Sequence, residues 1–479
     1  MRSLLCEDPL GFAIGRKTLE GRFDVNYYKP EYRELVRKLE SSPFKIKRLG
    51  DSASLSIERW KRPTSGTFRY IEINDIDTFL ARIIRAEELN VKDAPSRAQM
   101  VVRKDDIIIS TTRPYRGAIA FVTEEYDGCI CSTGFAVIRE VKKEINRKYL
   151  LHILHSSIGL KQMEQRMTGG NYPAITPDEL LKIWIPVPPI RLQNKIVGIM
   201  EEAIEKQRNT ERDANALLNY IDDYLLRELD IIQPSFEEKI TSAYVIGAKY
   251  LNKRWDVHYW APKYILFEKA IEKSKYKLKK LNEICEIING VTPPKEIYSE
   301  NGAVIIKVAN LKDWSVSWEQ LSFVPFDFYI KSKKAHLRKF DILMLSSAHQ
   351  AGYLGEKIVI LDFIPEEFKD RCMAVGEIII IRNRTNEIDP YYLLSLLKLK
   401  IYSFMFNREV RGQSAHLYSK DIGEIKVPIP DINIQRKIAE EIKNRIEKGK
   451  QLKKRGKQFV EKAKENIEKI ILGEKEYVQ

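Results

Sequence analysis

The sequence predicts an α+β chain: two duplicated mixed α/β domains separated by two long helices that pair as an antiparallel coiled coil. Three observations carry that expectation. Phrases of the first half return in the second, each copy closes in a proline-rich gate, and each gate launches a helix with a four-three apolar rhythm. The expected segments are 1–189 for the first domain, 190–229 for the first helix, 230–430 for the second domain and 431–479 for the second helix.

Arg22-Phe23-Asp24-Val25 returns as Arg254-Trp255-Asp256-Val257, an offset of 232 that holds through Lys45/Lys277 and Leu49/Leu281. The offset grows to 235 at Arg103/Arg338 and Asp106/Asp341, then to 242 at Gln193/Gln435 and Ile196/Ile438. So long a period marks a duplicated domain with small loop insertions, not a solenoid repeat. Inside each copy, apolar β-branched runs of strand length pair off: Ile71 to Ile76 with Ile305 to Leu311, Asp106 to Ser110 with Asp341 to Leu345, and Phe135 to Ile138 with Glu377 to Ile381. Helical patterns cover Glu31 to Leu39, and Tyr149 to Arg166 with its counterpart Tyr391 to Phe406.

The gates are Pro186-Pro188-Pro189 and Pro428-Pro430, followed by Gln193 and Gln435. Proline is excluded from a helix interior, so each gate ends a domain and starts a helix. The first helix carries the seam Ile196, Met200, Ala203, Gln207, Thr210, Ala214, Leu217, Ile221, Tyr224. The second carries Ile438, Ile442, Arg445, Gly449, Leu452, Gly456, Phe459, Ala463, Asn466, Ile470. Residues 190–229 hold six Lys/Arg against eight Asp/Glu, and residues 432–472 hold thirteen against six. Opposite net charges favour these two helices as partners of each other. The interface is expected at Ile196, Met200, Leu217 and Ile221 against Ile438, Ile442, Leu452 and Phe459.

The 479 residues carry a net charge of +14, which favours a polyanionic partner, nucleic acid first and an anionic membrane surface second. No apolar run is long enough to span a bilayer, and Glu7, Asp8 and Pro9 argue against a secretory signal, so the expected location is the cytoplasm. The five cysteines are too few and scattered for a disulfide framework, and Cys129-x-Cys131 lacks the second pair of a zinc site. No metal is expected.

The punctuated pattern of Gly169, Pro173, Ile175, Glu179, Leu180, Ile185, Pro186, Pro188, Pro189, Gln193 and Ile196 resembles the specificity subunits of type I restriction–modification enzymes, and the resemblance covers nearly the whole chain. The second copy departs from it at His416, Leu417 and Asp431 and keeps the Gln435 to Ile438 helix start. The resemblance implies two target-recognition domains, each reading half of a bipartite site in double-stranded DNA. It also implies helices that set the spacing and dock two modification (methyltransferase) subunits. Restriction subunits, which are ATP-dependent translocase/endonucleases, would join that assembly. S-adenosylmethionine is then expected on the modification subunits, with no cofactor and no catalysis on this chain. Two other readings stand beside it: the recognition module of a combined restriction–methylation enzyme, and a non-catalytic coiled-coil adaptor.

The residues themselves offer little chemistry. An N6-adenine methyltransferase loop is approached only by Asp389-Pro390-Tyr391-Tyr392, which matches Asn146-Arg147-Lys148-Tyr149 in the first copy and reads as a helix start with an Asp cap and proline in the first turn. The acid–lysine grouping of a nuclease occurs only as Asp230, Glu237 and Lys239 in a linker around Pro234, and a phosphate-cradling glycine loop is lacking.

Comparison of the copies locates the DNA readers. Arg103-Lys104-Asp105-Asp106-Ile107 and Arg338-Lys339-Phe340-Asp341-Ile342 form one frame, and both lead to a glycine, Gly117 or Gly352. Between frame and glycine the words diverge, with Arg113, Tyr115 and Arg116 in one copy and His349 and Gln350 in the other. Arginine pairs with guanine and glutamine with adenine in the major groove. The turns holding Asn171 and Tyr172, and Arg411, Gln413 and Ser414, are further candidates. Arg59, Lys61 and Arg62 beside Trp60, and Lys307, Asn310 and Lys312 beside Trp314, are expected to add phosphate contacts. A helix of about 38 residues spans about 57 Å against about 34 Å for a duplex turn, long enough to hold two readers on one face.

Overall fold

The computed structural model describes residues 24–234, 245, 247, 254–348, 355, 357–411 and 415–475. The chain forms two compact units, Met1–Thr210 with Lys454–Gln479, and Glu211–Lys453. This partition cuts across the segments expected from sequence, because each domain keeps half of each long helix.

The first unit opens with α1 (Pro30–Glu40), β1 (Lys45–Arg48), β2 (Ala53–Leu55), β3 (Thr67–Ile71), β4 (Ile76–Asp77), β5 (Arg82–Ile83) and β6 (Glu87–Asn90). It continues through β7 (Ala98–Val101), β8 (Ile107–Ser110), β9 (Ile119–Phe121), β10 (Ile130–Ser132), β11 (Phe135–Val141), α2 (Arg147–His155), α3 (Ser157–Arg166), α4 (Pro177–Leu181) and β12 (Trp184–Val187) to α5 (Ile190–Glu228). The second unit holds α6 (Pro262–Glu272), β13 (Leu278–Lys280), α7 (Leu281–Ile284), β14 (Cys285–Asn289), β15 (Ala303–Ile306), β16 (Leu311–Lys312), β17 (Ser315–Val316), β18 (Ser322–Val324) and α8 (Phe326–Lys331). Then come β19 (Ile342–Leu345), β20 (Ser347–Ala348), β21 (Ile358–Ile360), β22 (Cys372–Ala374), β23 (Ile378–Asn383), α9 (Pro390–Lys398), α10 (Lys400–Glu409), β24 (Ala415–His416), α11 (Ser419–Gly423), β25 (Lys426–Pro428) and α12 (Ile432–Ile471).

Each unit is built on a six-stranded sheet, ordered β2-β11-β8-β9-β5-β4 in the first and β14-β23-β19-β21-β17-β16 in the second. Strand for strand the two orders coincide. The central strands are apolar on both faces because both faces are covered: Ile107, Ile108 and Ile109 are fully buried, as are Ile342, Leu343 and Met344.

The repeated frame is a buried ion pair. Asp106 accepts from the Arg103 backbone N–H at 2.7 Å and from the Arg139 guanidinium at 2.9 and 3.1 Å. Asp341 accepts from the Arg338 N–H at 2.7 Å and from Arg382 at 2.7 and 2.8 Å. The residue before each aspartate, Asp105 or Phe340, takes a left-handed φ of 69° or 72° that turns the chain into the strand. The gate glutamines are equally matched. Gln193 donates to the Glu144 and Pro188 carbonyls and accepts from Asn146 N–H, and Gln435 does the same with Glu387, Pro430 and Asp389. Both side chains are fully buried with oxygen and nitrogen engaged, so each strap ties its helix start to the domain.

Three sequence expectations are corrected. Tyr149 to Arg166 is two helices, α2 and α3, broken at Ser156, and its counterpart breaks at Leu399 between α9 and α10. A Cβ on Gly159 would lie 2.3 Å from the Leu154 carbonyl, so the corner needs that glycine. Ile71 to Ile76 is not one strand: β3 ends at Ile71, a 3₁₀ turn spans Ile73–Asp75, and β4 starts at Ile76, with the same turn at Val308–Asn310 in the second unit. A buried side chain closes each turn, Asp75 on the Glu72 N–H and Asn310 on the Lys307 N–H.

The third correction concerns the helix seam. In the first unit Ile196, Met200 and Ala203 of α5 share a core with Val460, Ala463, Ile467 and Ile470 of α12. In the second, Ile221 and Leu225 share one with Ile438, Ile442 and Ile446. Within the first unit a Cβ on Gly456 would lie 2.4 Å from Thr210 Oγ1, and within the second Gly449 faces Leu218. Rising numbers on α5 meet falling numbers on α12, which makes the pair antiparallel. Leu217, Leu452 and Phe459 are only half-buried, while Val460 and Ile467 fill the interior. A straight α-helix drifts about 20° per heptad against a 3.5-residue repeat, so the true stripe slips one position past the four-three count.

Candidate nucleic-acid interface

In the first unit the chain leaves β8 through Thr111 and Thr112 into a left-handed turn, with Arg113 at φ 48° and Gly117 at φ 73°. Buried Pro114 pins its centre and leaves Tyr115 and Arg116 exposed. The turn meets the 168–174 segment: Ile175 N–H donates to Thr111 O at 2.9 Å, Thr112 bridges Ala174, and Arg113 N–H donates to Pro173 O at 2.8 Å. The Arg113 guanidinium donates to Asn171 O at 3.0 Å and lies 5.2 Å from the Tyr172 ring centroid. Two stretches about 60 residues apart, each a candidate from sequence, thus form one knot. It borders a groove of about 520 Å³ lined by Tyr70, Asn74, Arg97, Arg113, Arg116 and Tyr172, among others. Tyr172 is 77% exposed, an apolar ring in water beside three arginines.

Arg62 sits at the rim of that groove. It donates to the Ala94 and Pro95 carbonyls at 3.2 and 3.1 Å, and Pro95 lines the groove. Arg59 reaches Gln99 at 3.3 Å, Lys61 is exposed, and Trp60 packs on Phe68 at 4.4 Å. Arg97 and Asn74 were not singled out by sequence: Asn74 falls within the Ile71 to Ile76 run expected as a strand, and Arg97 in no repeated phrase; only the folded groove brings them to the tip.

The second unit repeats the knot. β20 pairs with β24, Leu417 N–H donates to Ser346 O at 2.8 Å, and Arg411 exchanges backbone bonds with His416. Arg411 is tied inward, its guanidinium 2.8 Å from the Asp421 carboxylate and 5.9 Å from the Tyr418 ring. Lys307 lies 3.9 Å over Tyr298, at the position matching Glu72 of the first unit's groove, so the charge at that position is inverted between the copies. Lys312 is exposed on the β16–β17 hairpin, away from Lys307. Asn310 is corrected: it is 4% exposed, and its amide also donates to the Ser317 and Glu319 carbonyls, so it shapes the turn and has nothing left for a ligand. His349, Gln350, Gln413 and Ser414 lie outside the described residues, as do Arg22, Phe23, Glu237, Lys239 and Gly352.

Asp389 caps α9 through the Tyr391 and Tyr392 N–H groups, as Asn146 caps α2. That string is a helix start in both units. Among the described residues no helix is long and apolar enough to cross a membrane.

A family model described as the type I restriction modification DNA specificity domain matches residues 42–220 and 273–462. The type I restriction enzyme HindI specificity subunit of Haemophilus influenzae is 30% identical over 136 residues, 28% of this chain and 30% of that protein. The MjaVIII specificity subunit of Methanocaldococcus jannaschii is 24% identical over 350 residues, 72% of this chain and 73% of that protein. Among solved structures, the HsdS subunit from Thermoanaerobacter tengcongensis aligns at 22% identity over 90% of this chain and 97% of its own, with a TM-score of 0.37. The type I S subunit from M. genitalium aligns at 14% identity over 91% and 97%, with a TM-score of 0.40.

Proposed function

We propose, since this chain belongs to the family of type I restriction modification DNA specificity proteins, that it confers sequence specificity on a type I complex by reading a bipartite duplex site. One unit reads each half. The carrying observation is that the units share their buried frame, Asp106 with Arg139 and Asp341 with Arg382, yet set different residues on the converging tips. A common scaffold with unlike tips suits proteins that hold the backbone alike and read different bases.

In the first unit Arg116 offers a guanidinium fork to a guanine edge, with Arg97 and Arg62 on the backbone and Tyr172 against a sugar or base. Arg113 is partly spent on Asn171 O and positions the knot as well as reading it. In the second unit Lys307 adds a backbone contact, and Arg411 holds its turn through Asp421. The helices α5 and α12 set the half-site spacing and offer their outer faces to two modification subunits. Those subunits bring S-adenosylmethionine and the methyl transfer, and restriction subunits join them; this chain supplies recognition in the cytoplasm.

Whole-genome methylation mapping of the host tests this reading. Deleting the gene should abolish methylation at one bipartite motif, and restoring the gene should return it. Methylation unchanged by the deletion would contradict it.

A further inference from the structure

A second basic site lies in the second unit, on the flank of the domain where it meets its own helix pair. It is a pocket of about 470 Å³ lined by Lys312, Lys357, Lys398, Lys450 and Lys453, with Trp314 at its wall and Asp313 as its one lining acid. The lysines come from four elements: the β16–β17 hairpin, the edge of β21, the end of α9 and the middle of α12. Among the described residues none of the five lysines stands in an ion pair. Lys398 is the most enclosed. Its ammonium lies 4.7 Å from the Trp314 ring and donates to the Asp313 and Ile358 carbonyls at 2.9 and 3.1 Å. An ammonium has three N–H groups, so two carbonyls leave one donor over. Burial pulls Lys398 down to about 8, and the charges of Asp313 and Asp222 oppose that shift.

The duplication supplies a control. The positions of the first sequence copy that match these five lysines are Asp77, Ala118, His155, Arg208 and Glu211. His155 repeats the structural part of the role, since its Nε2 lies 2.8 Å from Thr78 O, the counterpart of the Asp313 carbonyl. The fold therefore needs a donor at that corner and does not need five lysines. Their convergence belongs to the second unit alone.

We propose that this pocket is a phosphate site and that its occupant is the backbone of the bound duplex, beside the half-site that the second unit reads. Ammonium groups are point charges suited to phosphate oxygens, and duplex DNA presents a charge about every 1.7 Å. The placement fits that occupant: Leu345 N–H donates to Lys357 O at 3.0 Å, and the tip beginning at Ser346 follows directly. The helix pair thereby becomes part of the DNA interface on this side. The inference rests on the DNA-recognition reading above and adds a subsite to it.

The test uses the full chain assembled with its modification subunits, wild type and K450A/K453A, with K312A as an independent second variant. Alanine suits a helix, so the double variant keeps the fold. Duplex affinity is measured across a potassium chloride series, and tripolyphosphate binding by calorimetry. The proposal expects the slope of log affinity against log salt to become shallower by about 0.9 for each phosphate no longer neutralised, with half-site preferences unchanged. An unchanged slope in both variants overturns it. An unchanged slope together with abolished tripolyphosphate binding would overturn the duplex as occupant and make the site one for free phosphate compounds. Should the wild-type assembly show no duplex affinity, the recognition reading itself fails. Tripolyphosphate binding that survives in both variants then overturns the pocket too.

Discussion

The first unit places His152 and His155 on α2 where the second places Ser395 and Lys398 on α9. His155 is buried against Thr78 O, with Lys464 of the same unit close enough to oppose its charging. Lys398 faces a basic pocket open to solvent. The corner is the same and its chemistry is not. Where the units agree, at the Asp–Arg frame, the gate glutamine strap and the helix caps, the residues close buried hydrogen bonds that folding requires. Where they differ, the first unit's tip carries exposed residues such as Arg116, and this corner holds a buried imidazole in one unit and a lysine at a solvent-open pocket in the other. Duplication thus separates scaffold from function without recourse to other sequences.

The largest effect should come from breaking the shared frame. Asp106→Ala and Asp341→Ala each leave a guanidinium at the domain centre without its partner, at a cost of about 3–5 kcal/mol. Arg382 is more enclosed than Arg139, which also reaches Glu58, so the second unit should suffer more. Urea unfolding followed by hydrogen exchange, which resolves the two units, checks this; a loss under about 1 kcal/mol in both would show that the frame is not a structural pair.

The next effect is in acid. Burial, with Lys464 as the second cause, lowers His155 from 6.5 to about 3 in the folded chain. The unfolded chain therefore binds the extra proton as pH falls below about 6.5. The stability tied to the neutral ring is full above that pH and drains away toward about 3. By pH 5 the loss is on the order of 2 kcal/mol. Lys398, lowered from 10.5 to about 8, is already charged at pH 7 and adds no slope between 7 and 5. Amides of α2 should lose hydrogen-exchange protection between pH 7 and 5 while those of α9 keep theirs; His155→Gln should reduce the difference, and the remainder belongs to His152 of the same helix, which burial lowers to about 4. Equal losses in both helices would contradict the assignment.

Much of this architecture was legible in the sequence, because glycine, proline and capping residues mark boundaries and because every mark occurs twice. The paired helices and the two converging turns of each tip stood out on that basis. The break at Ser156 carried no such mark: the same corner forms at Leu399 in the second unit, where Tyr402 stands at the position of Gly159, so no shared residue type announces it. Val460 in place of Phe459 reflects a drift that grows along a 40-residue helix and is invisible over one heptad. Asn310 looked like a DNA-facing residue because a polar amide between lysines reads as surface, whereas it closes a buried turn. Arg97 and the lysine pocket draw on residues far apart in the chain, which only the folded domain assembles.

If each domain reads its own half of the site, methylation of a randomised-site library by the reconstituted complex will separate the two halves. Arg116→Ala removes a solvent-facing guanidinium from the first unit and leaves the Arg113–Asn171 knot intact. Preference at one or two positions of a single half-site should relax by about 1–3 kcal/mol, with the other half-site unchanged. Methylation lowered alike across all sequences, or relaxed in both halves, would contradict it.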